Sequence, residues 1–207
     1  SKVEILNLSN EFVIAVISKE RFLDMENSSL NSGCTIKYRE DSIFLDPRNI
    51  ELGARIVTNL EKLYLSLKKL GLQSADKNEY YKLSHGIGIP QNNTEKLQNK
   101  LFGIECNFDQ INAIDFKKGC YVGQENTARI KLKDKLNKRL LPIEVIEGNL
   151  NNEIISAERD EIGKVLINDD YPYAIIKIKN KKFDFGKIFN CGSAKVRIKK
   201  PDWLQIT

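Results

Sequence analysis

Histidine, methionine and tryptophan each occur once in this 207-residue chain, as His85, Met25 and Trp203. A single imidazole argues against a self-contained histidine metal site built from this sequence alone. Cysteine is scarce and scattered: Cys34, Cys106, Cys120 and Cys191 form no Cys-x-x-Cys pair. That spacing argues against a disulfide framework and against a zinc site, so no bound metal is expected. It favours a reducing compartment, and a cytoplasmic location is expected. No apolar run approaches the roughly 20 residues that cross a bilayer, and no secretory-signal pattern precedes Val3. No membrane partner is expected. Internal repeats and low-complexity tracts are also missing.

The apolar residues that are present carry a mixed signal. Residues 3–8 and 11–18 are rich in β-branched side chains with partial alternation and read as strands, and 42–45 is a short apolar run ending near Pro47. Between 52 and 70, Leu60, Leu63, Tyr64, Leu67 and Leu70 recur at three- and four-residue spacing. This predicts an amphipathic helix over 52–70, stopped by Gly71. Asp76 is placed to cap a helix through Tyr80, Tyr81 and Leu83, and 94–101 reads as another short helix. Beyond Lys135 the texture changes: 139–146, 153–158, 163–167, 173–178 and 194–199 are short, β-rich and separated by turn residues. The expected class is α+β, with an α+β domain over 1–135 and a small antiparallel barrel or sandwich over 136–207.

The densest local signal is Lys118-Gly119-Cys120-Tyr121-Val122-Gly123-Gln124-Glu125. Two glycines and a Gln-Glu pair make a poor core strand, because they offer little to pack and resist burial. The segment reads as a tight turn, with Gly119 and Gly123 permitting backbone angles or close approaches that a Cβ would block. It presents Cys120 beside Lys117 and Lys118, and a helix N-terminus made by 119–125 would add to that charge in lowering the thiol pKa. The octet resembles the signature of the YgfZ-type folate-binding proteins, relatives of the glycine-cleavage aminomethyltransferases that act in iron–sulfur cluster maintenance. Asp46-Pro47-Arg48 with Leu52-Gly53-Ala54-Arg55, Gly88-Ile89-Pro90, residues 104–109, Gly163-Lys164-Val165 and Pro201-Asp202-Trp203-Leu204 resemble further segments of that family, in its order.

The resemblance implies a ferredoxin-like middle domain followed by a C-terminal β-barrel, with a preceding half-domain of roughly a hundred residues missing from this fragment. It implies tetrahydrofolate as a bound cofactor and Cys120 as the functional thiol. Glu105 becomes a candidate acceptor for a pterin's amine edge. Lys118, Gly119, Gly123, Gln124, Glu125 and Arg129 become candidates to line the folate site. Tyr121 reads as a packing residue or a stacking platform, and Glu125 as a pocket acid, a first-turn helix acid or an i,i+4 partner of Arg129. Arg48 and Arg55 fit an internal ion pair or a clamp on a glutamyl tail. Where many members carry an arginine before the Gly88 turn, this chain has Ser84. Gly86 and Gln91 replace glutamates of the pattern. Aminomethyl transfer is therefore not supported, and a non-catalytic relative is expected.

Three function classes follow. The first is a tetrahydrofolate-binding accessory factor for [4Fe–4S] assembly or repair, partnered by iron–sulfur client or scaffold proteins. The second is a folate-dependent one-carbon transferase. The third is an RNA-associated protein, suggested by eight basic residues against Glu125 and Asp134 between 117 and 139. Lys131, Lys133 and Lys135 would carry that contact, unless the run is a solvated face.

Overall fold

The computed structural model describes residues 2–38, 40–119, 124–132, 136–151 and 153–206, with the backbone alone for Leu70, Asn126 and 130–132. The chain divides into two compact units, 1–76 and 77–207. The class is α+β, as expected, and the C-terminal strands close into a barrel.

In the first unit, β1 (Phe12–Ile17), β2 (Thr35–Tyr38), β3 (Asp41–Leu45) and β4 (Ala54–Asn59) form an antiparallel sheet of order β1-β4-β3-β2. Helix α1 (Lys19–Leu23) follows β1, and α2 (Leu60–Leu70) follows β4 directly. The core joins Phe22 to Ile36, Ile43, Leu45, Ala54 and Ile56. The helix expected over 52–70 begins only at Leu60. In 54–59 the buried residues are Ala54, Ile56 and Thr58, a period of two that belongs to a strand. Gly71 does end α2, in the left-handed conformation. Residues 3–8, expected as a strand, carry no strand assignment and leave Val3 and Ile5 exposed. Alternation alone does not make a strand where no ladder partner takes up its N–H and C=O groups.

Two parts of the Asp46–Arg55 stretch show why those residue types occur there. Asp46 is inaccessible to solvent and accepts from Arg48 Nε (3.0 Å), Arg48 Nη2 (2.7 Å) and Arg55 Nε (2.8 Å). Gly53 has φ +77°, and a Cβ on it would stand 2.2 Å from the Ile17 carbonyl oxygen. No other residue fits that strand crossing. Burial works against the Asp46 charge, yet the hydrogen bonds from Arg48 and Arg55 outweigh it and hold its pKa below the ordinary value. A depressed folded-state pKa gives stability that is present at neutral pH and lost on acidification through the folded value. We expect this unit to lose melting temperature from about pH 4 downward, and Asp46→Asn to flatten that acid limb while lowering stability at pH 7. Thermal melts of both proteins between pH 7 and pH 3 check it; superimposable acid limbs would contradict it.

The second unit opens with α3 (Lys77–Ile87), right after Asp76, and a short 3-10 turn at Thr94–Leu97 where a helix over 94–101 was expected. Then come α4 (Gln124–Leu132) and six strands: β5 (Lys138–Glu147), β6 (Ile154–Ala157), β7 (Asp160–Ile167), β8 (Tyr173–Lys177), β9 (Ile188–Cys191) and β10 (Ala194–Ile198). They close in the order β10-β5-β8-β7-β6-β9. The barrel is filled by Leu141, Ile143, Ile155, Ile162, Ile176 and Val196 among others, each worth about 1.5–3 kcal/mol of burial. Helix α3 is tied to the barrel's chain by Trp203 Nε1 donating to Ile87 O (2.8 Å) and Tyr171 Oη donating to Asn78 O (3.0 Å).

Candidate functional site

The stretch Glu105-Cys106-Asn107-Phe108-Asp109 forms a compact turn fastened to the first strand of the barrel. Asn107 has φ +63°, which asparagine tolerates better than most residues. From there its Nδ2 donates to Leu140 O (2.7 Å), and its Oδ1 accepts from Arg139 Nη1 (3.0 Å). Asp109 takes both terminal nitrogens of Arg139, at 2.9 and 3.2 Å. Leu140 N–H donates to Glu105 O (2.8 Å), closing the attachment. Arg139 is only 6% exposed. Arg139 therefore does not belong to the basic surface expected over 117–139: this guanidinium is an internal tie, and the surface charge of that stretch is smaller than its composition suggests.

Glu105 is half-buried, and its Oε2 accepts from the Phe102 N–H (3.0 Å), so one oxygen caps the turn. Oε1 has no partner among the described residues. Lys118 and Gly119 are exposed. A Cβ on Gly119 would meet nothing within 4 Å among the described residues, and its φ is not left-handed. The backbone demand expected at Gly119 is therefore not found. Helix α4 begins at Gln124, with Glu125 in its first turn and Arg129 one turn later; Glu125 and Arg129 are exposed, and Gln124 is half-buried. Cys120, Tyr121 and Gly123 lie outside the described residues, as do Lys133, Lys135 and the Lys131 side chain.

The remaining cysteines can be judged directly. Cys106 is half-buried, and burial, assisted by the neighbouring Glu105 charge, pushes its thiol up to about 11. Such a thiol is ionised to roughly one part in ten thousand at pH 7. Cys191 is fully buried in the barrel core, and burial raises its pKa as well. Cys34 is half-buried against the core of the first unit. Among the described residues, no three His, Cys, Asp or Glu side chains cluster as a metal site. No helix is long and apolar enough to cross a membrane.

The alternative roles for Arg48 and Arg55 resolve in favour of the internal ion pair, since both are spent on Asp46. Ser84 is buried, and its hydroxyl donates to the Tyr81 carbonyl (3.0 Å). An open cleft of about 610 Å³ lies elsewhere, against β5, and none of the expected folate-site residues lines it. The feature that sequence reasoning missed is the tie of Arg139 to Asn107 and Asp109, about thirty positions earlier, for which the sequence carries no local signal.

No protein-family model matches the chain. Among curated proteins, the chain is similar to a class of iron–sulfur cluster assembly factors. The protein named iron–sulfur cluster assembly factor IBA57 homolog, mitochondrial, of Dictyostelium discoideum is 29% identical over 144 residues, covering 69% of this chain and 35% of that protein. The Neurospora crassa homolog is 37% identical over 97 residues, 47% of this chain and 22% of its own length. Mitochondrial IBA57 of Mus musculus is 33% identical over 105 residues, 51% and 28% respectively. The chain thus spans about a third or less of these relatives. Their names overturn the cytoplasmic expectation, because each assigns its protein to the mitochondrion. Cysteine usage reports the redox state of a compartment and not the membrane around it, so composition had no means of separating the two.

Proposed function

We propose that this chain is part of a mitochondrial iron–sulfur cluster assembly factor of the YgfZ type, in which Cys120 is the working thiol. The observation that carries the assignment is elimination within a fold of four cysteines: Cys106 and Cys191 are held as thiols by burial, and Cys34 packs against a core. Cys120 precedes the first turn of α4 by four residues and follows Lys117 and Lys118. Positive charge and a helix N-terminus both favour its thiolate. The thiolate would lend a lone pair to an iron of a client's cluster, with the client supplying the other ligands. This role needs no general acid or base.

Tetrahydrofolate is the cofactor that accompanies this reading. The donor set fits its chemistry: Glu105 keeps Oε1 for an amine edge, while Gln124, Glu125, Arg129 and Lys118 offer amide, carboxylate and cationic groups for the pterin and the glutamyl tail. When bound, folate would supply a one-carbon carrier.

One experiment addresses both parts. Limited alkylation of the native chain, read by peptide mass spectrometry, should label Cys120 before Cys34, Cys106 and Cys191, and saturating tetrahydrofolate should slow that labelling. Labelling of Cys120 last, or only after denaturation, would rule out the exposed thiolate. Unchanged Cys120 labelling with folate would remove the folate part alone.

A further inference from the structure

Among the described residues of 77–207, Phe102 and Phe108 are the only exposed phenylalanines, at 56% and 41%. Both stand on the turn that carries Glu105. Gly103 seats one of them: a Cβ there would come within 2.9 Å of Phe108 Cδ2, so the bare Cα lets that ring lie against the backbone. Phe102 holds the carboxylate, through its N–H to Glu105 Oε2 (3.0 Å). The two rings and the carboxylate therefore converge on the backbone of Phe102 and Gly103.

The turn that carries them is built from its own backbone. The Glu105 and Cys106 N–H groups donate to Phe102 O (2.9 and 3.1 Å), and the Phe108 N–H donates to Gly103 O (3.1 Å). Ala113 and Ile114 N–H donate to Phe108 O (3.0 and 3.1 Å). Ile104 and Ile111 are buried, and Asn107 fastens the turn to β5 through Leu140 O. Oε2 uses one lone pair on Phe102, so the carboxylate keeps one acceptor position there and both on Oε1. Two exposed rings offer far less than the roughly 800 Å² per partner of a stable protein interface. A patch of this size, rigid and carrying one carboxylate, suits a small flat ligand.

We propose that Phe102 is the stacking face, with Phe108 bordering it, for a 2-amino-4-oxopyrimidine ring whose amine and adjacent ring N–H donate side by side to the Glu105 carboxylate. An aromatic face takes a flat heterocycle by stacking, whatever its substituents. The carboxylate then selects by edge: two adjacent donors match it, whereas a carbonyl in place of the amine would set acceptor against acceptor. In taking the pterin of a folate as that ring, the proposal rests on the folate reading of Glu105; a guanine base presents the same edge. What the rings add to that reading is a surface that recognises the face of the ligand. The inference does not depend on the role of Cys120.

The test is calorimetric titration of the whole chain with four probes: pterin, lumazine (a carbonyl in place of the 2-amine), guanosine and tetrahydrofolate. Pterin should bind about tenfold more tightly than lumazine, as loss of a charged hydrogen bond implies, and Glu105→Gln should erase that preference. Phe102→Leu keeps apolar bulk without a π-face and should weaken pterin about fivefold or more, while Phe102→Tyr should bind it as wild type does. Equal binding of pterin and lumazine, full pterin affinity in Phe102→Leu, or no binding of pterin and guanosine at millimolar concentration would each overturn the proposal. Tetrahydrofolate binding unchanged by Phe102→Leu and Glu105→Gln would overturn it too, and would leave the folate reading intact. Guanosine bound with the expected dependence on both residues, with tetrahydrofolate not bound, would support the ring site and remove the folate reading alone.

Discussion

Arg139→Ala is expected to destabilise the 77–207 unit by about 3–5 kcal/mol, because it strands a half-buried acid and a buried amide at once. Asp109 loses both of its guanidinium bonds, and the Asn107 Oδ1 loses its donor. For a unit of this size the melting temperature should fall by roughly 10–15 °C. A paired variant separates charge loss from packing loss. Arg139→Met combined with Asp109→Leu removes both charges while keeping volume, and should recover a large part of the stability, since replacing a buried ion pair costs less than breaking it. The turn at 104–109 should also loosen in the single variant, because Leu140 and Arg139 are its attachments to β5. Calorimetry of the two variants checks this. A loss below about 1 kcal/mol in Arg139→Ala would show that the cluster anchors nothing.

The barrel strands were the most legible part of the sequence, because each is short, alternating and flanked by turn residues. β9 escaped notice: its apolar residues are only Ile188, Phe189 and Cys191, and Cys191-Gly192 reads as a turn. β2 escaped for the same reason, with two of its four residues polar. The over-extended helix shows a real degeneracy. Leu52, Ile56, Leu60, Leu63 and Leu67 keep helical spacing across a strand, and only the added burial of Ala54 and Thr58 tells the two apart. At the candidate site, the helix N-terminus expected over 119–125 is described only from Gln124 onward, and Cys120 lies outside the described residues. Sequence did not separate Arg139 from its basic neighbours. A residue's charge is local information, whereas the Asn107 and Asp109 side chains that neutralise it lie about thirty positions earlier.

If Cys120 is the exposed working thiol proposed, Cys120→Ala abolishes the cellular role while leaving the fold within about 0.5 kcal/mol of wild type, the usual size of a surface substitution. Lys131, Lys133 and Lys135 changed together to Gln should leave the role largely intact, because the burial of Arg139 removes part of the basic surface that an RNA reading needs. Two of the other cysteines offer no substitute: Cys106 is ionised too little and Cys191 is sealed in the barrel. Serine at position 120 should fail as alanine does, since a hydroxyl at neutral pH does not ligate iron as a thiolate does.

The most direct test is complementation of a strain lacking its mitochondrial assembly factor with the full coding sequence carrying either substitution, read as the activity of mitochondrial [4Fe–4S] enzymes at matched protein levels. A working thiol at Cys120 requires Cys120→Ala to fall to the level of the deletion and the triple lysine variant to stay near wild type; full activity with Cys120→Ala and loss with the lysine variant would contradict that role.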